Sequence, residues 1–158
     1  MGIKNNAFKI LLAEDDDNHA ELILYTMSNN GFECHIDRVA DGEKALKFLR
    51  KEAPYNEAEF PDLLLLDLKM PRVDGLDVLC EIKVDPMLRL LPVIMLTTSN
   101  AKVDRVKAYA NHVNSYITKP MDFEELSKLT KLIFDYWENW NQNIRDIKPE
   151  DLSKLNTE

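Results

Sequence analysis

The sequence alternates short apolar runs with longer stretches of helical periodicity over most of its length. The run LLLL at 63–66 is strand-sized and wholly apolar, as strands covered on both faces of a sheet are. Each of five such runs precedes a segment in which apolar residues recur at helical spacing. This alternation predicts an α/β fold with a doubly wound parallel sheet. The predicted strands are Phe8 to Ala13, Phe32 to Val39, Asp62 to Leu68, Val93 to Thr97 and Ser115 to Thr118.

The last helix and the residues beyond it set the predicted domain boundary. Asp122 is a good N-cap with Glu125 three residues later, and apolar positions continue at helical spacing as far as Trp140. Trp137 and Trp140 fit either core packing or a partner surface, because an amphipathic helix alone does not distinguish the two. We predict one domain over residues 1–143 and a frayed polar tail over 144–158.

Composition and charge exclude several classes of function. The net charge of −8 argues against a nucleic-acid partner, which requires a clustered basic face. No apolar run is long enough to cross a membrane. The N-terminal residues have no apolar stretch of the signal-peptide kind, so we predict a cytoplasmic protein.

The cysteines and histidines match no metal or redox motif. Cys34 and Cys80 are far apart in sequence, and Cys80 lies among apolar helix residues, which predicts a buried thiol. His19, His35 and His112 have no metal-ligand spacing, so we interpret them as surface residues.

Polar residues follow four of the five predicted strands. In open α/β sheets, ligands bind beyond the carboxyl ends of the strands. A strand order of 2-1-3-4-5 brings these residues to one edge, so that carboxylates, hydroxyls and an ammonium converge. They are Glu14, Asp15 and Asp16 after the first strand, Asp67 at the end of the third, Thr97, Thr98 and Ser99 at the fourth, and Lys119 with Pro120 after the fifth.

Each of these residues taken alone has a simpler explanation. Acidic residues before a helix complement its dipole, a threonine is a good strand residue, and a lysine before a turn is common at surfaces. Asp67 alone could simply cap its strand. Asp16 and Asp17 fit this structural explanation best, as residues that begin a helix.

Four motifs occur in order at these strand ends, and together they identify a family. They are ILLAEDD, LLLLDLKMPRVDG, VIMLTTS and SYITKP. In this pattern the chain resembles the receiver domain of two-component response regulators, over about Phe8 to Trp137. The resemblance implies a flavodoxin-like (βα)5 fold. The finer likeness is to the small single-domain regulators that are paired with phytochrome-type histidine kinases.

The resemblance implies a phosphorylation site and a magnesium site. Asp67 corresponds to the carboxylate that accepts a phosphoryl group from a phosphohistidine of a sensor histidine kinase. Glu14, Asp15, Asp67 and the backbone carbonyl of Lys69 correspond to the ligands of Mg²⁺. Glu14 stands where many receivers have aspartate, and glutamate is a common variant in the family. Hard oxygen ligands of this kind suit magnesium.

The resemblance also assigns switch and structural residues. Thr97, Thr98 and Lys119 correspond to phosphoryl contacts, and Tyr116 corresponds to the aromatic switch that turns inward when Thr97 moves. In the family the peptide bond after the lysine is cis, so Lys119–Pro120 could be cis here. The turn residues are Pro71, Gly75 and Pro120, and Gly75 suits a turn that requires positive φ.

Two neighbouring side chains resemble positions that set how long the phosphoryl group survives. They are Lys69 and Ser99. The hypothesis is that Lys69 shields the acyl phosphate or competes for its oxygens.

The predicted function is therefore that of a stand-alone response regulator, which is a phosphoacceptor and not an enzyme with its own substrate. Its output is a partner or a homodimer formed through the face of helix 4, strand 5 and helix 5. One alternative is a receiver-fold binding module without phosphotransfer. The other is a phosphatase of the haloacid dehalogenase type, but that DxDxT pattern needs a carboxylate where Lys69 stands.

Overall fold

The computed structural model describes residues 7–156, which form one parallel sheet flanked by helices. The strands are β1 (Phe8–Ala13), β2 (Cys34–Val39), β3 (Leu63–Leu66), β4 (Val93–Thr97) and β5 (Ser115–Thr118). The α-helices are α1 (Asp17–Asn29), α2 (Gly42–Leu49), α3 (Gly75–Val84), α4 (Lys102–Ala110), α5 (Phe123–Phe134) and α6 (Pro149–Ser153).

The strand order is β2-β1-β3-β4-β5 and every pairing is parallel. The predicted fold class and strand order are both confirmed. The register pairs Ala13 with Leu66 and Thr97 with Thr118, so the strands end at a common edge. Asp67 follows directly, and its backbone N–H donates to the carbonyl of Ala13 at 3.0 Å.

The leucine run of β3 is apolar throughout because its side chains enter two cores. Leu64 and Leu66 pack into the core under α2 and α3, while Leu63 and Leu65 pack into the core under α1 and α5. All four leucines are at most 1% exposed. The period of two along a strand therefore explains why this central strand tolerates no polar residue.

The last long helix changes character near its end. Asp122 is its N-cap and accepts from the backbone N–H of Glu125 at 3.1 Å, as predicted. Beyond α5, the chain continues as a π-helical segment over Asp135–Trp140. Trp137 packs against the core, whereas Trp140 is 73% exposed. Trp137 thus takes the core-packing alternative, whereas a partner surface at Trp140 stays a prediction.

The prediction of a frayed tail is wrong for residues 144–156. This segment carries α6 and a 3-10 turn over Lys154–Asn156. The Arg145 guanidinium forms a bidentate ion pair with the Asp62 carboxylate, with Nε 2.6 Å from Oδ1. It also donates to the backbone carbonyl of Ala7 at 2.7 Å. Asp62 is buried, so this pair ties the segment to the sheet. The division into a domain over 1–143 and a tail stays a prediction.

The prediction for Cys80 is also wrong, because its side chain is exposed on α3. The apolar face of this helix buries Val78, Leu79 and Ile82, and Cys80 lies outside it. Cys34 on β2 is partly buried, and burial raises the pKa of its thiol to about 11. No helix within the part of the chain that the structure describes has the length and apolar character needed to cross a membrane.

Candidate phosphorylation site

Three carboxylates meet at the carboxyl edge of the sheet. Glu14 follows β1, Asp15 comes next in the chain, and Asp67 follows β3. One oxygen from each lies within 4.8 Å of the others. Glu14 is 1% exposed and Asp67 is 8% exposed, whereas Asp15 is exposed. The cluster is thus open to ligands on the side of Asp15 and enclosed on the side of Glu14.

The carboxylate of Asp67 has two distinct oxygens. Oδ1 accepts a hydrogen bond from the backbone N–H of Leu68 at 2.7 Å. Oδ2 lies 3.6 Å from the ammonium of Lys119. One oxygen is therefore held by the main chain, which fixes the rotamer, and the other faces the charged centre of the site.

Lys119 brings the positive charge of the site into a buried position. Its backbone N–H donates to the carbonyl of Thr97 at 2.7 Å, which extends the pairing of β4 with β5 by one bond. The side chain is 5% exposed. Its ammonium forms a very close ion pair with Glu14 Oε2 and lies 3.4 Å from His19 Nδ1.

Burial dominates the electrostatics of Glu14. The pKa of Glu14 is raised to about 7, and loss of solvent is the largest cause; the hydrogen bond and charge of Lys119 lower it, and the negative charge of Asp67 adds a smaller upward effect. Two carboxylates and one ammonium in a buried site leave an excess of negative charge, and the exposed Asp15 adds to it. A divalent cation would offset this excess.

The hydroxyl side of the site is organised by the loop after β4. Thr97 is fully buried, and its Oγ1 accepts from the backbone N–H of Ser99 at 3.2 Å. Tyr116 on β5 donates from its hydroxyl to the carbonyl of Ser99 at 2.9 Å. The Ser99 hydroxyl donates to Asp104 on α4 at 2.6 Å, and Thr98 is exposed. Ser99 thus connects β4, β5 and α4.

Two expectations from the sequence are corrected by the backbone. The only cis peptide bond within residues 7–156 is Ala53–Pro54, so Lys119–Pro120 is trans. Gly75 does not have positive φ; in this loop Arg72 does, at 68°. Glycine is required at 75 for space, because a Cβ there would press on the carbonyl oxygen of Asp67 and lie 2.8 Å from Leu68 Cα.

The remaining predicted residues lie on the loop between β3 and α3 or next to the lysine. Lys69 and Pro71 are exposed, and Pro120 is partly exposed. No contact of the Lys69 side chain with the acidic cluster is found within residues 7–156. The lifetime roles of Lys69 and Ser99 stay predictions.

Sequence reasoning missed two residues that border the site. Arg38 on β2 donates from Nε and Nη2 to the carbonyl of Glu14 at 3.1 and 2.9 Å, and its Nη1 lies 2.7 Å from Asp17. Its place opposite Leu12 in the register, next to the acidic turn, could have indicated this contact. The other residue is His19, which lies in the first turn of the helix that begins at this edge.

The donor set suits a hard divalent cation. Carboxylate oxygens are the ligands that Mg²⁺ and Mn²⁺ prefer, and here three of them converge at one point. The residues that could hold the ion are Glu14, Asp15 and Asp67. Nothing soft, such as a thiol, is among the residues that form this cluster.

Comparison with known proteins gives a consistent result. The response regulator receiver domain family matches residues 10–131. A probable methanogenesis regulatory protein, FilR2 of Methanothrix harundinacea, is 43% identical over 136 residues, covering 86% of this chain and 87% of the relative.

Solved structures point the same way. The phosphorylated cyanobacterial phytochrome response regulator RcpA superposes with a TM-score of 0.83 at 39% identity, covering 87% of this chain and 98% of that one. The Mn²⁺-bound form of response regulator Rcp1 gives a TM-score of 0.81 at 34% identity, covering 86% and 98%. With its sheet order, its acidic cluster and these similarities, the chain belongs to the response regulator receiver domain family.

Proposed function

We propose that this protein accepts a phosphoryl group on Asp67 from a phosphohistidine of a sensor histidine kinase, in a magnesium-dependent reaction. The observation that carries the proposal is the position of Asp67 Oδ2. This oxygen belongs to a buried carboxylate, lies 3.6 Å from the Lys119 ammonium, and is part of the acidic cluster. A carboxylate so placed can serve as a covalent nucleophile toward phosphorus.

The chemistry follows from the two oxygens of Asp67. Oδ1 is held by the Leu68 N–H, so Oδ2 is the oxygen available for attack. A bond forms between Oδ2 and phosphorus while the bond from phosphorus to the histidine nitrogen breaks, and its electron pair returns to the imidazole. The rest of catalysis is positioning and neutralisation of charge. Mg²⁺, held by Glu14, Asp15, Asp67 and the Lys69 carbonyl, would supply part of that neutralisation.

Lys119 and Thr97 supply the contacts that distinguish the phosphorylated state. The ammonium is close enough to Asp67 to reach a phosphoryl oxygen on it. For Thr97 Oγ1 to do the same, it must leave the Ser99 N–H. Because Tyr116 is bonded to the carbonyl of Ser99, movement of Thr97 also disturbs the tyrosine. Contacts made only in one state shift the population toward that state.

The output surface that we propose is the face of α4, β5 and α5. It carries large apolar and aromatic side chains that are more than half exposed. On α4, Val103 is 58% exposed and Tyr109 is 52% exposed; Leu132 near the end of α5 is 69% exposed, and Trp140 at the end of the π-helical segment is 73% exposed. A second copy of the chain or another protein could bind there. Apolar area of this kind is typical of interaction surfaces.

The partners that we propose follow the similarities. RcpA is a cyanobacterial phytochrome response regulator, and this supports a phytochrome-type histidine kinase as the donor. FilR2, a probable methanogenesis regulatory protein, matches at higher identity than RcpA. The two relatives have different descriptions, so the signal that the kinase senses has to be identified by experiment. We propose a stand-alone regulator in the cytoplasm, with no nucleic-acid or membrane partner.

The two alternative functions fare differently. A receiver fold used only for binding, without phosphotransfer, would have the same architecture. A phosphorylation assay distinguishes this alternative from the proposed function. The dehalogenase-type phosphatase is disfavoured, because the chain belongs to the receiver family and has Lys69 where the second carboxylate is needed.

The test is phosphorylation by a small donor, read by intact mass. Wild type incubated with Mg²⁺ and either acetyl phosphate or phosphoramidate should gain one phosphoryl group, and the gain should vanish with chelator or in Asp67→Asn. Asp37→Asn is the matched control, because Asp37 is a carboxylate on β2 outside the cluster. A folded wild type that gains nothing from either donor would make this a binding module.

The Lys69 hypothesis has its own measurement. Release of phosphate from wild type and Lys69→Ala, both phosphorylated in the same way, should differ several-fold if this side chain affects the acyl phosphate. Equal release rates would remove Lys69 from the mechanism.

A further inference from the structure

His19 lies at the mouth of the site and contacts Lys119, the buried cation described above. Its Nδ1 is 3.4 Å from the Lys119 ammonium and 3.8 Å from Glu14 Oε1. The side chain is 41% exposed, so the ring is partly in solvent and partly against the charged cluster. The backbone fixes it there, because the His19 N–H donates to the N-cap side chain of Asp16 at 3.0 Å.

The contact with Lys119 determines which nitrogen of His19 carries the proton. An ammonium can only donate, so Nδ1 must be the acceptor in this contact. The 3.8 Å to Glu14 is too long for a hydrogen bond, so Nδ1 is not donating to that carboxylate. The neutral ring therefore carries its proton on Nε2, which leaves the Nδ1 lone pair for the lysine.

Lys119 has three donors and three neighbours. They are Glu14 Oε2, Asp67 Oδ2 and His19 Nδ1. Of these, Glu14 and Asp67 are the oxygens that a divalent cation would also need. His19 is the one neutral acceptor among the three, so it competes with the carboxylates for the ammonium without adding negative charge.

We propose that His19 is a positioning residue, which holds Lys119 through Nδ1 and so helps to release Glu14 for the metal. This inference deepens the proposed phosphorylation of Asp67 and rests on it. Lys119 keeps one partner outside the cluster when Glu14 binds the ion, and its ammonium stays directed toward Asp67. Without His19, the ammonium is left with the carboxylates, and the metal must displace it from Glu14.

The first test measures metal binding by titration calorimetry with Mg²⁺ alone at pH 8. His19→Ala should weaken Mg²⁺ binding by about three- to tenfold, the size expected for loss of one ordinary hydrogen bond, because the contact with Lys119 is long at 3.4 Å. His19→Asn should restore most of the affinity, because its Oδ1 is an acceptor close to where Nδ1 stands. The control is His35→Ala, which removes a histidine that is 60% exposed on β2.

The second test observes the ring directly. Long-range ¹H–¹⁵N spectra of the wild type at pH 8 should show His19 with the proton on Nε2 and an unprotonated Nδ1. The opposite tautomer would overturn the proposal, as would unchanged Mg²⁺ affinity in His19→Ala. An asparagine variant as weak as the alanine variant would also overturn it, because ring bulk alone would then explain the loss.

The outcome is separable from that of the proposed function. If the wild type gains no phosphoryl group, phosphotransfer to Asp67 fails, while the calorimetry and spectra still decide how His19 acts on Lys119. If the wild type is phosphorylated and His19→Ala binds Mg²⁺ as well as the wild type does, only the role of His19 fails.

Discussion

Gly75→Ala tests how closely the main chain around Asp67 is packed. Gly75 begins α3 and is buried against the strand end that carries Asp67, and its N–H donates to the carbonyl of Leu68 at 2.7 Å. A Cβ at position 75 would press on the Asp67 carbonyl oxygen and lie 2.8 Å from Leu68 Cα and 2.9 Å from the Asp67 carbonyl carbon. These are all backbone atoms, which cannot rotate away.

The magnitude follows from two opposing effects. Alanine is favoured over glycine in a helix by up to about 1 kcal/mol, and less at the first position, where α3 begins. Forcing a methyl group into packed structure typically costs about 1–3 kcal/mol, and rigid backbone neighbours place this site at the upper end. We expect a net loss of about 2–3 kcal/mol in the free energy of unfolding. For a chain of this size, that lowers Tm by about 4–12 °C.

The assay is urea unfolding of wild type, Gly75→Ala and Gly31→Ala. Gly31 is the matched control, because its φ is +70° and its Cβ would meet no atom within 4 Å. Gly31→Ala should therefore lose only the free energy of holding a non-glycine residue in the left-handed region, about 1 kcal/mol. Gly75→Ala should therefore be the less stable variant, and it should also be phosphorylated more slowly, since the Asp67 backbone must shift. A Gly75→Ala protein as stable as wild type would refute the packing argument.

Three further predictions concern the rest of the molecule. Arg145→Ala should lower the free energy of unfolding by about 1–3 kcal/mol, measured by urea unfolding, because it removes charged hydrogen bonds and leaves the buried Asp62 without its cation. Cys80 should react with iodoacetamide well before Cys34 at pH 8, because alkylation needs the thiolate and burial raises the Cys34 pKa to about 11. Mass spectrometry should show Cys34 labelling rising about tenfold per pH unit toward that value. Phe134→Ala should lower the free energy of unfolding by about 3–5 kcal/mol in the same urea assay, because the ring is fully buried.

The strands and the acidic site were predictable because they depend on periodicities that the sequence shows directly. A fully apolar run such as 63–66 belongs to a strand covered on both faces, and the residue after it stands at the sheet edge. Glu14, Asp67, Thr97 and Lys119 all take their positions from strand ends in this way. The register of the sheet then brings them together without help from any loop.

What could not be predicted depends on contacts between distant parts of the chain or on local backbone choice. The pairing of Arg145 with Asp62 joins residues 83 positions apart, and a polar tail sequence gives no sign of its partner. The space required at Gly75 comes from the approach of another segment, whereas the sequence suggested only a turn. In both cases the residue type alone does not indicate which distant segment the residue contacts.

The position of His19 could be predicted from sequence periodicity, but its contact with Lys119 could not. The sequence places it in the first turn of α1, and the helix begins at the acidic edge, so its approximate location follows from periodicity. Its contact with the Lys119 ammonium depends on a lysine 100 positions away, at the end of β5, which β3 and β4 separate from β1 in the sheet. A side chain in the first turn of such a helix can reach the strand-end cation only because parallel strands end at one edge. Residues in the first turn after β1 are therefore candidates for contacts with the site even when their spacing matches no motif.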